Sequence, residues 1–199
     1  MKKYIWIGLV FIVLVSIIAF VKINNMPSEP DTNSDILVKV NNDYILKSEI
    51  DPVYEQFKDS NVAYDKIVED TISEILVIQQ ASKFRLSVTE DNIDNEIKRF
   101  KEEQEAYYEK ALFLNGEDVL RKKIRDNLLY QKVKNHVFNN EIVVDDNIIT
   151  KFKKQEGFNG YLDNKEASEL LNSMKNEIYE FAFKEWVKSL RQKATIIYE

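Results

Sequence analysis

The 28 residues 111–138, ALFLNGEDVLRKKIRDNLLYQKVKNHVF, constrain this chain more than any other stretch. Asn115-Gly116 is a turn signal. Glu117 and Asp118 follow in what would be a first helical turn, where negative charge suits the amide dipoles. Behind them Leu120, Ile124, Leu128 and Val133 recur at helical spacing, with Val119, Leu129 and Val137 widening the stripe. Arg121, Lys122, Lys123, Arg125 and Asp126 occupy the remaining faces. The pattern predicts a long helix at the middle of an all-helical core, with the other segments packed around it.

Chemistry is constrained by what the chain lacks. It has no cysteine, so neither a disulfide nor a thiolate metal site can form. Its single histidine, His136, excludes multi-histidine zinc sites and disfavours a Ser-His-Asp triad. Four glycines (Gly8, Gly116, Gly157 and Gly160) cannot spell a P-loop or a dinucleotide fingerprint. No cofactor, nucleotide or metal is implied. The net charge is −6, and removing Lys2, Lys3 and Lys22 from the 28 basic residues leaves 25 against 34 acidic, or −9. That balance argues against nucleic acid or anionic lipid as the main partner.

Residues 4–21, YIWIGLVFIVLVSIIAFV, are 18 residues without a charge. As a helix they would span roughly 27 Å, close to the thickness of a bilayer core. Lys2 and Lys3 before the segment outweigh Lys22 after it, which keeps the amino end in the cytoplasm. A cleaved signal peptide is the rival reading, but no clear small-x-small site stands near Ala19. Residues 1–23 are thus expected to be a cytoplasmic end and single-pass anchor, or else a signal peptide; in both cases the remainder is extracytoplasmic. Residues 24–35, with two prolines and little that is apolar, form a flexible linker.

Residues 36–199 form one expected domain. ILVKVNNDYIL reads as a β-hairpin turning at Asn41-Asn42-Asp43. Ser48 and Asp51 suggest a capping box for a short helix to Phe57, with Pro52 in or near its first turn. Residues 64–84 carry a broad apolar face. Thr89, Glu90 and Asp91 open a third helix with Ile93, Ile97 and Phe100 inward, and residues 98–109 read as a charged, solvated stretch. Val143-Val144-Asp145-Asp146 caps a short helix through Phe152. Gly157 and Gly160 interrupt the pattern before a last long helix over 165–194. The closing TIIYE predicts a strand, and its available partner is the hairpin at 36–46.

Four signatures in this order, VKVNNDYILKSEI, LSVTEDNIDNEI, LNGEDVLRKKIRDNLLYQKV and VVDDNIITKF, resemble the SurA N-terminal domain of SurA- and PrsA-type extracytoplasmic chaperones. The resemblance covers about residues 36–152. It implies a mainly α fold: a multi-helix chaperone core with a small β-hairpin completed by a C-terminal strand, preceded by one transmembrane helix. In that family a parvulin-type prolyl isomerase domain typically follows, before a final helix and strand return to the core. Here about a dozen residues separate Phe152 from the last helix, and the characteristic histidines have no counterpart. Residues 165–199 then stand for the returning helix and strand, with the enzyme domain missing. Asn42 takes the place of a usual hairpin glycine, a conservative change because Asn tolerates the same backbone region.

The candidate client-binding residues are aromatic: Tyr107, Tyr108 and Phe113 before the Asn115-Gly116 turn, and Phe158 and Tyr161 in the glycine-containing loop. The plainer reading makes Tyr108 and Leu112 core and the rest ordinary surface. His136 is a pH sensor or, more simply, a helix-end dipole partner. Asp145-Asp146 and Glu90-Asp91 are paired carboxylates or, more simply, caps. The Arg121–Arg125 cluster is a docking surface or a solvated face. The expected function is a chaperone for unfolded or exported polypeptides. The alternatives are a dedicated interaction module of a secretion or envelope complex, and an isomerase with an unfamiliar site.

Overall fold

The computed structural model describes residues 35–60, 62–157 and 173–199. Two strands, β1 (Ile36–Val40) and β2 (Asp43–Leu46), are followed by α1 (Lys47–Phe57), α2 (Tyr64–Lys83), α3 (Glu90–Glu103) and α4 (Glu105–Asn115). Then come α5 (Glu117–Asn140), α6 (Asp146–Gln155), α7 (Lys175–Arg191) and β3 (Ile196–Tyr198). The protein is mainly helical with a three-stranded antiparallel sheet ordered β2-β1-β3. The expected anchor over residues 4–21 lies outside the described residues. Among those described, no helix is long and apolar enough to cross a membrane.

The closing strand pairs with the hairpin, as its β-branched run predicts. Val38 stands opposite Tyr198 and Val40 opposite Ile196. Thr195 is held twice, its carbonyl accepting from the Asn41 backbone N–H at 2.8 Å and its own N–H donating to Asn41 Oδ1 at 2.9 Å. Asn41, not Asn42, adopts the left-handed backbone, with φ 57°. The position compared with glycine is therefore not the one that needs glycine-like freedom. A register shift between Ile36 and Val38 places a bulge at the start of β1.

Helix α1 begins one residue before Ser48, so the Ser48–Asp51 capping box is not formed. Glu49 instead accepts from the Leu46 backbone N–H at 3.1 Å. Asp51 binds Lys47 Nζ at 2.6 Å and the Tyr64 hydroxyl at 2.8 Å, tying α1 to α2. Pro52 consequently falls in the second turn, where it withholds one helical donor. Thr89 caps α3, its Oγ accepting from Asn92 N, and Asp145 caps α6 by accepting from Ile148 N at 2.9 Å.

Residues 98–109 are mostly exposed, as their charge predicts, apart from the buried Phe100 and the half-buried Gln104 and Tyr108, but they do not form one helix. The backbone breaks at Gln104 (φ −146°, ψ 52°), and α3 and α4 fold against each other as a hairpin. Gly116 (φ 76°, ψ 166°) then turns the chain into α5, a backbone region only glycine enters freely.

The apolar interior is divided into four clusters. Val38, Val40, Ile45 and Ile50 pack with Val68, Ile72 and Leu76 of α2, forming a sheet-bearing lobe. Ile93, Phe100, Ala111, Leu120 and Ile124 form an arm from α3, α4 and the first half of α5. Val77, Ala81, Val133, Val137 and Phe183 join the later halves of α2 and α5 to α7. Phe152, Ile178 and Phe181 bind α6 to α7. The predicted start of the last helix at residue 165 lies outside the described residues.

Candidate functional site

Helices α2 and α5 run side by side in the same direction: Phe84, at the end of α2, lies over His136 near the end of α5 with ring centroids 4.3 Å apart. In their later halves the facing stripes are apolar, Val77 and Ala81 meeting Tyr130, Val133 and Val137. Stepping back by threes and fours, the same stripe of α2 carries Glu74 and Asp70, and that of α5 carries Asp126, Lys123 and Val119. The apolar residues of the earlier halves are committed elsewhere. Val68, Ile72 and Leu76 turn to the sheet, while Leu120, Ile124 and Leu128 turn to α3 and α4. The helices therefore share a joint at one end and belong to different lobes at the other, where the apolar contact between them opens into charged positions.

Glu74 sits on the α2 wall of that opening. Its side chain still reaches solvent, yet the surrounding atoms strip enough water to push its carboxyl above the ordinary value. Asp126 on α5 adds like-charge repulsion, and Lys123 works against it. Desolvation also raises Asp126, against the pull of Lys122 and Arg125, with Glu49 and Asp43 adding repulsion. Lys123 is lowered by the same loss of water, though Glu49 and Glu74 favour its charge. Tyr130, one turn on from Asp126, has its hydroxyl pushed up to about 12 by burial and by Glu74, Glu180 and Asp70. Among the described residues, neither Glu74 nor Asp126 makes a hydrogen bond or an ion pair. Beside them Asn127 Oδ1 is buried without a partner.

A second concavity, about 450 Å³, lies where the α5–α6 connection meets α6 and α7. Ile142, Val143, Ile148 and Trp186 supply its apolar surface, and Val143 is 76% exposed. Trp186 is stacked on Phe183 (5.4 Å, 27°), which fixes the indole plane at the groove. Glu185 on its rim lies 3.4 Å from Lys151 and 3.6 Å from Lys188.

The aromatic residues singled out by sequence are placed apart. Tyr107, Tyr108 and Phe113 all lie on α4, but at about 100° per residue they occupy three different faces. Tyr108 packs edge-on against Phe100 (5.8 Å) in the arm core, Tyr107 is partly exposed, and Phe113 is 88% exposed. Phe158 and Tyr161 lie outside the described residues. His136 is half-buried under Phe84, with Nε2 3.9 Å from Glu141 Oε1.

The Arg121–Arg125 cluster is more engaged than a solvated face. Arg121 Nη2 stands 2.8 Å from both Glu90 Oε2 and Asp94 Oδ1, and Arg125 Nη2 stands 2.5 Å from Glu90 Oε1. These contacts clamp α3 onto α5 and hold the Glu90 carboxyl below its ordinary value, Arg121 contributing most. Glu90 thus serves α5 as well as the start of its own helix.

The polar opening escaped the residue-by-residue reading of the sequence. The signal for it was present: Lys123 and Asp126 interrupt the stripe that continues as Tyr130, Val133 and Val137. Among the described residues, no group of three or more histidine or carboxylate side chains could hold a metal ion. No protein-family model matches the chain, and no curated protein is similar enough to it to stand as a relative.

Proposed function

We propose that this protein is a membrane-anchored extracytoplasmic chaperone that holds unfolded or exported polypeptides without isomerase activity. The observation that carries the reading is the return of the chain onto its own beginning. β3 completes the sheet that β1 starts, and α7 packs back on α2 and α5, with only residues 156–174 between α6 and α7. That arrangement suits the SurA-type core that the four sequence signatures resemble, with the isomerase domain missing as the resemblance implies.

A frame of this kind suits transient burial of client apolar surface. Its interior is split among small clusters, and Phe113, Val143 and the Trp186 groove offer apolar area to solvent. Release follows when the client forms a core of its own, and no nucleotide is required. Residues 4–21 would tether the domain outside the cytoplasm, with the amino end inside.

The test uses the full chain in zwitterionic lipid nanodiscs, added to a chemically denatured model protein diluted into buffer. Suppression of aggregation at near-stoichiometric amounts is expected. No suppression at severalfold excess over empty nanodiscs would overturn the reading.

The charged opening between α2 and α5 favours a second reading, a module dedicated to one partner of defined charge pattern. Crosslinking in intact cells separates the two. Many weakly bound polypeptides support the chaperone, and one stoichiometric partner supports the module.

A further inference from the structure

The β-branched runs of β1 and β3 pair with each other. A further run, Ile142-Val143-Val144, connects α5 to α6 and belongs to no sheet, although its side chains are disposed as in a strand. Ile142 turns inward to the cluster around Phe183 and Val144 to the cluster around Phe152, while Val143 between them is 76% exposed. Alternation of that kind belongs to a strand with one face buried. Asp145 continues it with extended backbone, φ −95° and ψ 176°. The Ile142 N–H donates to the Val137 carbonyl at 2.9 Å. Among the described residues, nothing hydrogen-bonds the backbone N–H or C=O of Val143 or Val144.

This unpaired backbone borders the 450 Å³ groove, to which the connection brings Ile142 and Val143, α6 brings Ile148 and α7 brings Trp186. Four charged residues line it. Lys151 and Lys188 converge on a single carboxylate, Glu185, at 3.4 and 3.6 Å, and their side chains stay 49% and 66% exposed. The fourth, Glu141, is directed to His136 at 3.9 Å and forms no ion pair with either lysine among the described residues. The charges therefore balance in number but not in place. Two ammonium groups sharing one carboxylate leave positive charge to be met on the helical side.

We infer that this groove is the docking site for an extended polypeptide segment, which adds a strand beside Ile142–Val144 and sets a carboxylate of its own against Lys151 and Lys188. The inference rests on the chaperone reading and gives it a substrate class: unfolded segments with apolar residues at alternate positions and a glutamate or aspartate among them. Such a segment presents N–H and C=O groups at strand spacing, and its apolar side chains enter the groove from one face. A helical segment satisfies its own backbone and offers nothing to Val143. Recognition through the backbone also suits release, because those groups are withdrawn when the client completes its own fold.

The experiment uses the full chain in zwitterionic nanodiscs. Its two tryptophans are Trp6 and Trp186, so Trp6→Phe leaves Trp186 emission as the reporter of the groove. Four matched short peptides alternate valine with serine. One carries a central glutamate in place of a serine and one carries glutamine there. The other two keep the glutamate and are N-methylated on every second amide, each along a different edge of the strand. One methylated peptide should bind about tenfold more weakly than the glutamate parent, having lost the hydrogen bonds to the connection, and the other should match it. The glutamate peptide should bind about threefold tighter than the glutamine one, with the preference fading as salt rises. The Lys151→Gln, Lys188→Gln variant should lose that preference and keep its affinity for the glutamine peptide.

Equal affinities for the two methylated peptides would overturn the inference. So would binding that leaves Trp186 emission unchanged, no preference for glutamate in the parent, or a preference undiminished in the lysine variant. Failure of every peptide to bind, with aggregation still suppressed, would overturn the inference and leave the chaperone reading standing; loss of both would remove the two together. A dimer that forms with concentration, shifts Trp186 emission and resists the peptides would assign the groove to a second copy, and overturn the inference on that ground.

Discussion

The two halves of the α2–α5 pair are built on the same helical stripes and end in opposite states. In the later half Val77, Ala81, Val133 and Val137 are each no more than 3% exposed, and Phe183 from α7 seals the contact. In the earlier half the stripe positions hold Asp70, Glu74, Lys123 and Asp126, and no core forms there. A few charged positions are enough to end a helix–helix contact, because each buried charge costs more than the apolar area it would close over. Once separated, each half-helix packs on a different neighbour, and one pair of helices serves two lobes.

The largest test of this contrast is Phe183→Ala. Phe183 touches both helices of the joint and stands against Tyr130, Phe138 and Trp186. Its truncation should cost about 3–5 kcal/mol in denaturant unfolding. A loss below about 1 kcal/mol would mean that the apolar half is not what holds the lobes together. Gly116→Ala comes next, at about 1–3 kcal/mol, and it strikes the arm that forms the outer wall of the opening. No atom lies within 4 Å of the added methyl group, so the effect is backbone strain alone. An unchanged midpoint would show that the turn relaxes freely. Thr89→Ala removes the cap of α3 on the same arm and should cost about 1 kcal/mol, with less protected amides in the first turn of α3 by hydrogen exchange.

The smallest expected effect is the one specific to the opening. Glu74 and Asp126 have folded-state values raised above 4.5 and 3.8, so the folded protein binds their protons more tightly than the unfolded chain does. Stability from these groups is present at low pH and lost as pH rises through the raised values. Lowering the pH from about 7 to about 5 should therefore stabilise the parent relative to the Glu74→Gln, Asp126→Asn variant, by less than about 1 kcal/mol because solvent screens Glu74. Asp51 and Glu90 are shifted the other way and lose their contribution as pH falls further, but both are present in the two proteins, so that loss cancels in the comparison. Parallel pH profiles for the two proteins would remove the electrostatic account of the opening.

Much of the frame is written locally. The stripe of α5, the caps at Thr89 and Asp145, and the strand at 196–198 follow from spacing and side-chain chemistry within a few residues. What local reading misses is decided at long range. Glu49 replaces Ser48 and Asp51 at the start of α1 because Asp51 is drawn to Tyr64, 13 residues away. Arg121 looks solvated on its own helix, but its partner Glu90 lies 31 residues earlier. Tyr107 and Phe113 are legible as aromatics, whereas their separate faces follow only once α4 exists as a helix of its own. The opening combines both kinds of information. Its charges are visible in the stripe, and their place between two lobes depends on where each half-helix finds its core.

The sheet places its central strand β1 early and its second neighbour β3 late, Thr195 following Asn41 by 154 positions. During synthesis from the amino end, one flank of β1 must therefore wait bare while every helix is made. Val38 and Val40 can rest on α2 meanwhile, but the hydrogen-bonding edge has nothing of its own to hold until the last strand emerges. A nascent chain halted short of that strand would carry a ready template for the wrong partner, and quality control would have an edge to recognise.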